Sequence, residues 1–279
     1  MSLALVATGF AAWVLSNDAS EELEGKVEIA AVHEESVDIS NIQFIKDDPT
    51  NDAERADSFI FEPQAGDTTG RVRYDGSSHP ENLDVKFQWT IDNYQIVGEI
   101  FVDFKIPANV YKALDAENGW LYIDRQNADT GDNTGFKVIG DETKDGKDYK
   151  VLRYVVQTAQ GAINASGQTE DGVVKYEVAP GDVVNTVTFT MNIAFEWGDT
   201  FHGDNPGEYY DQSYQDDPAA GSAVDFQTMK DTLNTFKATL HGIDPADYIG
   251  LEEDAQKALC EEPEHKIPNY IIVINAQVA

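Results

Sequence analysis

The chain has 279 residues, 41% of them hydrophobic and 10% aromatic, so it can bury a sizeable core and wholesale disorder is excluded. It carries 19 basic against 51 acidic residues, and the net charge of −32 repels nucleic acid and anionic lipid, leaving both poor partners. Such a surface attracts Ca²⁺ or polycations, or stays soluble in a saline medium, and with Cys260 as the single cysteine no disulfide forms within the chain.

In chain order, Ser2 to Leu15 is almost wholly apolar yet too short to span a bilayer. Its length suits the apolar core of a signal peptide, and Gly9-Phe10-Ala11 offers a small-x-small cleavage site. Residues 1–11 are therefore expected to be a signal remnant, with the mature chain starting near Ala12; the alternative is a buried N-terminal strand or helix. Residues 12–32 follow as a tether, acidic from Asp18 to Gly25, ending in a short strand at Lys26 to Val32. A second strand runs through Val37, Ile39, Ile42, Phe44 and Ile45. The Asp/Asn/Pro content of residues 46–56 marks a solvated loop, and Ser58 to Glu62 and Arg71 to Tyr74 read as short strands.

The centre reads as β. Val85, Phe87, Trp89 and Ile91 alternate, and so, less strictly, do Val97 to Ile106. Pro107 opens a helix over Ala108 to Glu117, and Trp120 to Asp124 returns as a strand. Asn127 to Asp148 is expected to be a long acidic loop interrupted by Phe136 to Ile139, with strands at Tyr149 to Val156 and Val173 to Val178. The clearest strand comes next. Val187, Phe189, Met191, Ile193 and Phe195 point one way, while Thr186, Thr188, Thr190 and Asn192 point the other. Beyond it Phe226, Met229, Leu233, Phe236 and Leu240 recur at helical spacing, predicting a helix over Val224 to Leu240 with its apolar stripe in the core. A helix at Leu251 to Glu262 would pack Cys260 as a buried apolar group. Asn269 to Val278 is a strongly apolar last strand.

The loop that ends the clearest strand holds Trp197, Gly198, Phe201, Asn205, Pro206, Tyr209 and Tyr210. Aromatics of that size seek burial, so it reads as a structured crossover, with a ligand site as the alternative. Its Trp-Gly-x-x-Phe-x-Gly-x-Asn-Pro pattern and the N-terminal signal resemble the TasA and camelysin family, proteins secreted with a SipW-type signal peptide. The resemblance covers both ends and this strand and loop, about a quarter of the chain. It implies a secreted, extracellular or cell-surface subunit of a biofilm-matrix fibre.

No His-Glu-x-x-His, Gly-x-Ser-x-Gly or Gly-x-Gly-x-x-Gly motif occurs, so the peptidase label that camelysin-like proteins often carry is not transferred and no enzyme is expected. Calcium is the one cofactor the acidic loops suggest, at Asp129, Asp132, Asp199 and Asp204, although neither loop has the Asp-x-Asp-x-Asp-Gly-x₅-Glu register.

The fold expected is mainly β: an antiparallel, jelly-roll-like sandwich over residues 33–279, with helices inserted at about 222–262 between two neighbouring strands of one sheet. The partners expected are identical subunits in a filament, with no nucleic acid and no stable membrane span once the signal is removed. Assembly would proceed by strand donation, with Trp13, Val27, Ile29 and Ala31 filling an acceptor groove in a neighbour. The alternatives are pairing of that strand within its own sheet, a secreted adhesin or carbohydrate-binding module using the aromatics of Trp197 to Tyr214, and a hydrolase.

Overall fold

The computed structural model describes residues 11–15, 26–33, 37–45, 59, 84–114, 121–123, 135–157, 167–169, 172–181, 185–197 and 226–279. The strands are β1 (Ala11–Leu15), β2 (Val27–His33), β3 (Asp38–Phe44), β4 (Asp84–Asp92), β5 (Val97–Pro107), β6 (Leu121–Ile123), β7 (Lys137–Lys144) and β8 (Lys147–Gln157), then β9 (Gly167–Gln168), β10 (Val174–Val178), β11 (Val187–Trp197) and β12 (Tyr270–Val278). The helices are α1 (Ala108–Ala113), α2 (Phe226–Leu240), α3 (Pro245–Tyr248) and α4 (Glu253–Cys260).

Two mostly antiparallel sheets result. The first has the order β1-β2-β12-β5-β8-β7; the second runs β3-β4-β11-β10-β9, with β6 pairing the far end of β11. Alternation dictates the layering. In β4 and β11 the residues Val85, Phe87, Trp89, Ile91, Val187, Phe189 and Met191 are fully buried, because one face of the second sheet turns inward. The first sheet answers with Ile272 and Ile274 from β12 and Val102 and Phe104 from β5, also fully buried. Phe104 joins the layers, its ring centroid 6.2 Å from Phe195 of the second sheet and 6.0 Å from Tyr270 of its own. The expected mainly-β antiparallel sandwich, with helices ahead of the last strand, is the fold observed.

Local details differ from the sequence reading, each for a physical reason. Residues 137–144 are strand rather than acidic loop, and pair with β8 in a hairpin. Its two-residue turn is Asp145-Gly146, with φ of 52° and 75°, the left-handed pair that matches strand twist. A Cβ at Gly146 meets nothing within 4 Å, so Gly146→Ala tests backbone strain alone. It is expected to cost about 1–2 kcal/mol in urea unfolding. The helix α1 is shorter than Ala108 to Glu117, ending at Ala113, and α4 is shorter than Leu251 to Glu262.

The helices also do not lie between neighbouring strands of one sheet. They follow β11 of the second sheet and precede β12 of the first, so they bridge the two layers. Leu233, Phe236 and Leu240 of α2 are buried as the apolar stripe requires, and Cys260 packs in a small cluster with Ala238, Ile243 and Tyr248. Among the described residues no helix is long and apolar enough to cross a membrane.

Candidate functional site: the N-terminal strand and its slot

Strand β2 reads Val-Glu-Ile-Ala-Ala-Val-His, and its alternation divides it into two faces. Val27, Ile29 and Ala31 are 1%, 0% and 0% exposed, part of the same core as Phe104 and Ile272. Glu28, Ala30 and Val32 face outward and are half-buried. The strand runs parallel to β12, with Val27 opposite Tyr270, Ile29 opposite Ile272 and Ala31 opposite Ile274. This is the one parallel pairing among the described strands. It joins the two ends of the sequence, and at its start the Tyr270 amide donates to the Lys26 carbonyl at 2.9 Å and the Asn269 side-chain amide to Glu28 Oε1 at 2.9 Å.

The slot that β2 fills has β12 on one side and β1 on the other. β1 pairs antiparallel with β2, placing Leu15 opposite Ile29 and Trp13 opposite Ala31. Cleavage after Ala11 would therefore keep four of the five residues of β1. The floor is Tyr270, Ile272 and Ile274, backed by Phe104 and Val102 on β5 in direct register with Ile272 and Ile274. Burying two branched side chains and an alanine there contributes on the order of 5 kcal/mol. Within one chain, then, β2 completes its own sheet. Donation to a neighbour requires it to leave this slot, and the neighbour's equivalent slot to be vacated in turn.

The four residues expected to donate thus divide. Val27, Ile29 and Ala31 come together on the inward face of β2, and Trp13 stands in β1 at the edge of the sheet. The slot residues Tyr270, Ile272 and Ile274 were not singled out by sequence. Their signal was the apolar run Tyr-Ile-Ile-Val-Ile, which marks a strand flanked on both sides.

Other expected residues fall elsewhere. Trp197 ends β11, its backbone paired with Leu121. Gly198, Phe201, Asn205, Pro206, Tyr209 and Tyr210 lie outside the described residues, as do Asp129, Asp132, Asp199 and Asp204 and the strands expected at Ser58 to Glu62 and Arg71 to Tyr74, apart from the buried Phe59. Among the described residues no group of three or more His, Cys, Asp or Glu side chains could hold a metal ion. Two histidines clasp each other's backbone. His241 Nδ1 lies 2.9 Å from the His265 carbonyl and His265 Nδ1 lies 3.2 Å from the His241 carbonyl, tying the end of α2 to the approach to β12.

The outward face of the first sheet is closed by ion pairs. Arg153 donates to both carboxylate oxygens of Asp103 at 2.6 and 2.8 Å and stacks 3.7 Å above the Phe101 ring. The hydrogen bond to Asp103 is the main cause that raises the Arg153 pKa. Lys105 meets Glu142 at 2.7 Å on this face, whereas Lys150, in register with Ile106 on the opposite face of β8, pairs with Asp141 and lies over the Tyr111 ring of α1. Tyr149, opposite Glu142, has its pKa raised above 10.0 by burial first, then by the charges of Glu28, Asp145 and Glu142. Below pH 10 its phenol is neutral in both folded and unfolded chains, so this preference costs nothing there. Above it the unfolded chain loses the proton first, and stability falls as pH rises through the folded value. A Tyr149→Phe variant should lose part of that alkaline sensitivity, read as the slope of urea midpoint against pH above 10.

No family model, no curated protein and no solved structure matches this chain.

Proposed function

We propose that the protein is a secreted structural subunit of an extracellular filament, assembled by exchange of the N-terminal segment holding β1 and β2 between successive copies. The observation that supports this most is the parallel seating of β2 beside β12. This strand has partners some 240 positions away and seats three buried side chains beside β12. A copy whose slot is filled by its neighbour forms a head-to-tail contact that need not close, which generates a fibre.

The same main-chain hydrogen bonds and the same burial serve whether β2 comes from the chain itself or from another. The exchanged and self-completed states therefore differ little in contact energy, and concentration selects between them. Charge opposes assembly, since each copy carries −32. Raising salt from about 0.01 to 1 M shortens the screening length from about 30 to 3 Å and should promote fibres. Electron microscopy of the secreted protein across that range tests the reading. Fibres that increase with salt are expected, and monomers alone at every salt and concentration would refute it.

A further inference from the structure

Apolar packing alone does not fix where β2 sits along its slot. A slip of one residue is excluded, because it would turn Glu28 and Ala30 toward the core. A slip of two keeps the faces. Moved two positions further along β12, Val27 comes opposite Ile272, Ile29 opposite Ile274 and Ala31 opposite Ala276, so all three still meet buried apolar residues. The reverse slip is poorer, since it sets His33 opposite Ile274 on the inward side.

The outward residues do separate these registers. As observed, Glu28 lies opposite Ile271, whose partner on the far side is Lys105 of β5, and Ala30 lies opposite Val273, whose far partner is Asp103. Glu28 and Lys105, of opposite charge, are two strand spacings apart, about 10 Å. Just ahead of β12, the Asn269 side-chain amide donates to Glu28 Oε1 at 2.9 Å. Advanced by two, the strand would set Lys26 in the row of Lys105 and Glu28 in the row of Asp103, like charge against like in both. The counter-charges of Lys105 and Asp103 are Glu142 on β7 and Arg153 on β8, on the side away from β2.

We infer that Asn269, Lys105 and Asp103 are the groups by which the slot reads a strand, and that the outward set Lys26, Glu28 and Ala30 is the pattern they read. Glu28 is the specificity-determining residue, and the slot fits a second copy of β2 in a single register. A hydrogen bond to a charged acceptor is a factor of about ten or more between one register and the other. Within one chain the link from β2 to β3, which starts at Asp38, also limits sliding. In an exchanged contact, a consequence that rests on the function proposed above, that link leads back to the donor, and the charge pattern sets the repeat of the fibre.

The test is made on dilute monomer of the full chain, in a Cys260→Ala background. About eight Gly/Ser residues inserted between Glu34 and Glu35 free β2 from its tether to β3. Ala30→Cys is combined with Val273→Cys, which bridges in the observed register, or with Asn275→Cys, which bridges after the two-residue advance. Equilibration against glutathione gives the stability of each bridge. With Lys26, Glu28 and Asn269 intact, the bridge to position 273 should be about tenfold the more stable. Lys26→Glu with Glu28→Lys leaves the net charge unchanged and should invert that preference. In that variant the carboxylate reaches Asn269 and Lys105 only after the advance, where the lysine also faces Asp103. Asn269→Ala should bring the ratio closer to one in both chains. Should the double variant fail to fold, Asn269→Ala alone, at a half-buried position outside both strands, carries the test. A charge-exchanged chain that keeps the original preference, or ratios that Asn269→Ala leaves unchanged, would overturn the inference. Neither result depends on fibres, so a failure here leaves strand exchange standing, and an absence of fibres leaves the register reading standing.

Discussion

An Ile29→Asp variant is expected to lose at least about 4 kcal/mol of stability and to form no fibres. Ile29 is 0% exposed and lies against Ile272 in the parallel register and Leu15 on the other side. A carboxylate there gives up the burial of the branched side chain and is placed among apolar neighbours, where it must either lose its charge or expel the strand. Expulsion would leave β12 with an open edge. Domains of this kind have only about 5–15 kcal/mol of total stability, so the change takes a large share of it. Val32→Thr, on the outward, half-buried face of the same strand, should change stability by less than about 1 kcal/mol. Urea unfolding of both variants separates these outcomes. An Ile29→Asp protein within about 1 kcal/mol of wild type would mean that β2 does not occupy the slot.

The second large effect is expected at Phe104. Its ring lies 5.6 Å from Phe59, 6.1 Å from Phe136, 6.2 Å from Phe195 and 6.0 Å from Tyr270, so one side chain holds contacts to both sheets. Phe104→Ala should cost about 3–5 kcal/mol, because its rigid strand neighbours cannot collapse into the space left. Val155, 47% exposed on β8, provides the contrast: Val155→Ala should stay within about 0.5 kcal/mol. Equal effects at the two positions would show that Phe104 does not join the layers.

Much of this fold was legible because a strand with one buried face announces itself. β4 and β11 alternate strictly, and every inward residue of β4 is at 0% exposure. What failed was the reading of strands without such a face. β7 is Lys-Val-Ile-Gly-Asp-Glu-Thr-Lys at the edge of the first sheet, exposed along nearly all its length, so no apolar rhythm distinguishes it from an acidic loop. The hairpin signal was the Asp145-Gly146 pair, not the strand. Pairing between distant elements is invisible to local pattern. Nothing near Tyr270 states that its strand joins β5 and β2 rather than β11, and so the helices were placed within one sheet instead of between two. At the candidate site the inward set of β2 was readable from Val27, Ile29 and Ala31. Its slot was not, because the groove is made of residues more than 240 positions away on β12 and some 75 positions away on β5.

Exchange of β2 makes a claim about which chain's strand lies beside β12, and a disulfide can report it. Ala30 and Val273 are opposite each other on the outward face of the parallel pair. Neighbouring strands lie about 4.8 Å apart, within reach of a disulfide. In a Cys260→Ala background, Ala30→Cys with Val273→Cys should oxidise in dilute monomer to a link within the chain. Oxidised after fibres have formed, the same protein should give a ladder of covalently linked oligomers on a denaturing, non-reducing gel. Well-formed fibres that yield only internally linked monomers would contradict strand exchange.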